Sequence, residues 1–131
     1  MSLRLFLVES LGFPRNHHAI FVENAQRRGG HIFQVTGNIQ EGMRYEMKVT
    51  EAAPEKDPSQ QGRTYLGCVS ASNIPLIDAL CKSIPAPEKQ FEGARKITVL
   101  PIRRCQEWTI EALGLLKEKG VLVSDGSTAT K

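Results

Sequence analysis

Five short apolar runs, each bounded by turn-forming residues, occupy the first half of the chain and limit what it can fold into. Leu3–Glu9, His17–Glu23, Ile32–Val35, Met43–Val49 and Arg63–Val69 have the length and the branched or aromatic content of strands. Gly12-Phe13-Pro14-Arg15-Asn16, Asn24 to Gly30 and Gly37 to Gly42 separate them with residues that favour reversals. The second and third runs read as a hairpin. Met43–Val49 alternates apolar with charged residues, the period of a half-buried strand whose polar face meets water.

Helical spacing enters only later. Ser70-Ala71-Ser72-Asn73 offers capping oxygens ahead of Ile74–Ile84, and Pro85 ends that segment. From Cys105 onward, Trp108, Ala112, Leu115 and Leu116 recur at helical intervals. Glu107 and Glu111 lie early, Lys117 and Lys119 late, and Gly120 is a C-terminal stop. Between the helices, Ile97–Ile102 reads as an edge strand. Glu51–Gly62, with two prolines and many charges, reads as a mobile connection. The fold class is therefore α+β, an antiparallel sheet of about five strands against two or three helices. A chain of 131 residues has room for one core, so residues 1–123 form one domain and 124–131 a flexible tail.

The charge balance narrows the partners. A net charge of +3 comes from basic residues scattered in pairs such as Arg27-Arg28 and Arg103-Arg104, without a basic run interleaved with stacking aromatics. That is a solvated surface and not a nucleic-acid footprint. The first apolar run is too short for a signal-peptide core, and no segment reaches the roughly 18 to 20 apolar residues that cross a bilayer. The expected location is cytoplasmic, with no membrane anchor. Cys68, Cys81 and Cys105 are odd in number and widely spaced, without the pairing that binds zinc. They are read as reduced thiols, and neither a metal nor a cofactor is expected. Cys81 falls on the apolar side of its helix and is read as a core thiol.

Cys105 is the thiol that can carry chemistry. The orphan N–H groups of a helix start favour a thiolate, lowering a thiol from ~8.5 toward ~3.5–7.5. Arg103 and Arg104 add positive charge just before it. A packed, inert helix thiol is the alternative. A candidate base lies in His17-His18, of which strand alternation sends only one inward.

The order of a histidine strand, a polar residue on the next strand and a cysteine opening a helix resembles the circularly permuted papain-like group, which includes NlpC/P60 and lecithin:retinol acyltransferase-like proteins. His17-His18-Ala19-Ile20-Phe21-Val22 is similar to their histidine strand, which implies that His17 is the base and His18 the alternative. Gln34, in Ile32-Phe33-Gln34-Val35-Thr36-Gly37, takes the place of the residue that orients the base, with His31 as the alternative. Cys105-Gln106-Glu107-Trp108 resembles the group's nucleophile helix. Trp108 and Arg104 are then expected to contact substrate. The group usually has histidine where this chain has Gln34, and the apolar tail of the lipid enzymes has no counterpart here. Phe33-Gln34-Val35-Thr36-Gly37 and Arg103-Arg104-Cys105-Gln106-Glu107-Trp108 also resemble an uncharacterised set of fungal proteins.

Three functions fit these residues. The first is a thiol hydrolase or acyltransferase acting on an amide, ester or thioester of a small molecule or peptide. The second is a noncatalytic ligand- or protein-binding module on the same fold. The third is a partner subunit that uses the Arg27-Arg28 hairpin or the Glu51–Gly62 loop. A homodimer is compatible with each.

Overall fold

The computed structural model describes residues 2–10, 17–25, 29–51, 60–92, 94–98 and 102–124. The element order is β1 (Ser2–Ser10), β2 (His17–Glu23), β3 (Gly30–Asn38), β4 (Gly42–Thr50), β5 (Gln60–Ser70), a 3-10 turn (Ala71–Asn73), α1 (Ile74–Lys82), β6 (Phe91–Glu92), β7 (Arg95–Lys96) and α2 (Cys105–Glu118). The first five strands form one antiparallel sheet in the order β4-β3-β2-β1-β5, and β6 and β7 form a separate two-stranded ribbon. The α+β class, the five strands and the two longer helices match the sequence expectation.

Both faces of the sheet are buried at its centre. This explains why Leu5-Phe6-Leu7-Val8 and Ala19-Ile20-Phe21-Val22 are continuous apolar runs and not alternating ones. On one face Leu3, Leu5, Ile20, Val22, Phe33, Val35 and Val69 pack against Ile77 and Cys81 of α1 and Cys105, Trp108, Ala112 and Leu116 of α2. Phe6, Val8, Ala19 and Phe21 form a second cluster, joined by Ile32. The Arg63 and Arg4 guanidiniums lie 4.2 and 5.3 Å from the centre of the Phe6 ring. Arg4 also donates from Nε to the buried Glu23 carboxylate at 2.7 Å, so the charge on that face is paired.

Local chemistry sets the element ends. Gly30 is required where β3 begins, because a Cβ there would lie 2.0 Å from the Val22 carbonyl oxygen. At the end of α2, Gly120 takes φ +74°, Val121 N–H bonds the Leu116 carbonyl at 2.9 Å, and Gly120 N–H bonds that of Lys117 at 3.0 Å. That pair of bonds is a Schellman stop. Val123 then pairs with Cys68 on the outer edge of β5.

Several boundaries differ from the sequence reading. Helix α1 ends at Lys82, not Ile84. Ser83 N–H is shared between the carbonyls of Ala79 and Leu80, and Ile84 N–H bonds Cys81 O, a tightened final turn ahead of Pro85. Strand β5 starts at Gln60, inside the segment read as a connection, because it has β1 to pair with. Ile97 and Thr98, expected in an edge strand, lie outside any strand, and the short ribbon forms just before them. There Ile97 N–H donates to the Gln90 carbonyl at 2.9 Å, while its side chain remains half exposed. The turn 12–16, Arg27-Arg28, most of the 51–62 connection, 99–101 and the tail 125–131 lie outside the described residues.

Candidate functional site

The hydrogen-bonded pairing of β2 with β3 runs from Glu23↔Gly30 to Ile20↔Phe33 and stops there. His17, at the start of β2, and Gln34, on β3, lie beyond the last rung. Their side chains bridge the two strands instead, with His17 Nε2 2.7 Å from Gln34 Oε1. A carbonyl oxygen only accepts, so Nε2 is the protonated nitrogen and Nδ1 is left as the acceptor. Gln34 is itself buried, which holds that acceptor in one place.

Cys105 is the first residue of α2 and is 6% exposed. Its thiol takes a side-chain hydrogen bond with His17, and the backbone N–H of His18 points at Sγ from 3.5 Å. Burial alone pushes the thiol up. The His17 hydrogen bond, the His18 N–H and the charge of the His17 ring outweigh it, so the Cys105 thiol falls below its ordinary value. The same contact pushes the His17 imidazole up, helped by Gln34 and opposed by burial and the charge of Lys48. The two shifts run in opposite directions, and both favour a thiolate beside an imidazolium.

Supporting contacts fix the approach to Cys105. Gln90, buried, donates from Nε2 to the Arg103 carbonyl at 2.7 Å and accepts the Arg103 N–H at 2.8 Å, clamping both backbone groups two residues before the cysteine. Arg104 N–H donates to Glu107 Oε1 at 2.7 Å, and Thr109 Oγ1 donates to the Cys105 carbonyl at 2.6 Å. The Arg103 guanidinium forms a fork onto the Glu111 carboxylate, with both bonds at 2.9 Å. The cation that acts on the sulfur is therefore His17, and the arginine pair read from sequence as its positive neighbours is not among the groups that move the thiol.

The structure thus brings together Cys105, His17 and Gln34. It sets His18 beside them through its backbone, while the His18 ring turns to Glu9 Oε2 at 3.2 Å. His31 stacks on Phe33 with ring centres 6.2 Å apart and is not among the groups that shift His17 or Cys105. Trp108 is fully buried, with its indole N–H donated to the Ile84 carbonyl at 3.2 Å and its ring against Tyr45 at 5.7 Å. It belongs to the core, not to a surface that a substrate reaches. Arg104 is half-buried at the α2 N-cap. Glu9 and Gln90 were not legible as site residues. Glu9 gains meaning only from facing His18 across the β1–β2 ladder, and Gln90 lies in an irregular connection with no periodicity to read.

The site is a thiol–imidazole–amide constellation at one end of an α+β sheet. The chain belongs to a family of unknown function (DUF6540), whose model matches residues 5–123. No curated protein and no solved structure matches it. Among the described residues, no cluster of His, Cys, Asp and Glu is suited to a metal ion, and no helix is long and apolar enough to cross a membrane.

Proposed function

We propose that this protein is a thiol hydrolase or acyltransferase of the permuted papain-like type. Cys105 is the nucleophile, His17 the base and Gln34 the residue that orients the base. The observation that carries this reading is the His17 ring, held through Nε2 by Gln34 and near enough to the Cys105 thiol for each to shift the other's protonation. In such a site Cys105 Sγ attacks the carbonyl carbon of an amide, ester or thioester. His17, protonated, delivers its proton to the leaving group as the bond breaks. The acyl thioester on Cys105 is then released to water or to an acceptor whose proton His17 takes. Backbone N–H groups near Cys105 are the donors available to the oxyanion. Gln34 replaces the histidine usual in the group, and an amide oxygen suffices to fix the Nε2–H tautomer.

Turnover in this scheme needs both thiolate and imidazolium. It falls as pH drops through the depressed Cys105 pKa and again as pH climbs through the raised His17 pKa, giving a bell. The decisive experiment incubates the protein with a small panel of activated esters and thioesters and follows intact mass. A single acyl adduct that maps to Cys105 and is absent in Cys105→Ser supports the proposal, and a slower adduct in His17→Ala assigns the base. The near-complete burial of Cys105 favours a second reading, a ligand-binding module on the same fold. No adduct with any acyl donor, together with saturable binding of one of them, decides for that reading.

A further inference from the structure

Strand β4 closes the sheet on one side, and its outward edge is defined by one contact. Met43 N–H donates to the Pro87 carbonyl at 2.7 Å and not to β3, so Met43 and its opposite residue Gly37 form a non-hydrogen-bonded pair. Rungs alternate along an antiparallel ladder, and the β3–β4 register is unbroken. The N–H and C=O groups of Tyr45, Met47 and Val49 therefore also point away from the sheet. Among the described residues no group takes them. The 85–90 segment, which also bonds Ile39 O through Gln90 N–H at 2.7 Å, blocks the edge only at the Met43 end.

The side chains of this stretch are also unfinished. The alternation of β4 predicts a buried apolar face, yet only its first half is covered. Tyr45 packs on Trp108 and donates to Asp78 at 2.7 Å, while Met47 and Val49 remain 37% and 66% exposed. A long, regular edge with exposed apolar residues and neither proline nor bulge is a template for another strand.

We infer that β4 pairs antiparallel with β4 of a second copy of this chain, about a two-fold axis at Met47. The sequence of the edge selects this occupant. An isologous contact must be self-complementary. Centring it on Met47 sets Tyr45 against Val49 and Glu46 against Lys48, each twice. The open rungs are the ones that bond, giving about six backbone hydrogen bonds. Val49 and Met47 gain cross-strand neighbours, and both lysines face glutamates. A Lys48 that would otherwise guard the edge becomes half of a charge pair. The result is one continuous sheet through both copies, and it stands whether or not Cys105 is a nucleophile.

The test combines light scattering over a wide range of protein concentration with residue-resolved amide exchange. The expected result is a mass twice 14.5 kDa that falls to one chain on dilution, with the Tyr45, Met47 and Val49 amides protected only in the dimer. Glu46→Lys and Lys48→Glu, made singly, each set like charges opposite one another twice and weaken association about tenfold. The double variant Glu46→Lys/Lys48→Glu restores it, which a folding defect would not do. A single-chain mass at every concentration overturns the inference, as does a dimer that ignores the single reversals or leaves those three amides freely exchanging.

Discussion

Cys105 and Cys81 are both buried cysteines on helices of the same core, and they are driven in opposite directions. Cys81 lies in the last turn of α1, where burial pushes its thiol up to about 12 and the charge of Asp78 adds to the effect. Cys105 carries the same kind of burial penalty and still falls below the ordinary value, because His17 and the His18 N–H meet its sulfur. Burial alone therefore does not set the direction in which a thiol is driven. What distinguishes the two cysteines is whether the fold brings a proton acceptor and an N–H donor to the sulfur.

The largest consequence is a difference in native reactivity. Iodoacetamide at neutral pH should modify Cys105 at least about a thousandfold faster than Cys81, as followed by peptide mass spectrometry. Comparable rates would erase the distinction. Next in size, His17→Ala removes the acceptor and the charge, and Cys105 alkylation should slow about ten- to a hundredfold near pH 7 with Cys81 unmoved. Gln34→Leu removes only the atom that fixes the His17 tautomer, so the rate should fall about three- to tenfold, with the thiol moving part of the way upward. A Gln34→Leu effect as large as that of His17→Ala would mean that the amide holds the strands apart and does more than orient a ring. The smallest effect belongs to the Cys81 side. Tyr45→Phe deletes the hydroxyl bonded to Asp78, should cost about 1 kcal/mol in urea unfolding, and should leave Cys105 alkylation unchanged. A change at Cys105 would show the two regions to be coupled.

The same contrast sets how much was legible in the sequence. Strand β2 begins at His17 and ends at Glu23 as its apolar content predicts, and α2 opens at Cys105 and stops at Gly120 as its caps predict. These are local signals, and they hold Cys81 in the core by the same spacing rule. The contacts that make Cys105 different are nonlocal, since Gln34, Gln90 and the His18 N–H come from separate segments and meet it or its supports only in three dimensions. Trp108 misled for the complementary reason. Beside the cysteine in sequence it reads as a site aromatic, but helical spacing turns it to the core side with Ala112. The uncovered half of β4 was hidden by a pattern that states which face is apolar without stating how far the helices extend over it.

The proposed chemistry rests on Cys105 and His17 forming a thiolate–imidazolium pair. It is tested most directly by the pH dependence of Cys105 alkylation in the wild type and in His17→Ala. The rate follows the thiolate, so the wild-type half-point should lie well below the ~8.5 of a free cysteine and shift upward in the variant. A wild-type half-point at or above that value, unmoved by His17→Ala, would make Cys105 a second structural thiol like Cys81 and contradict the account.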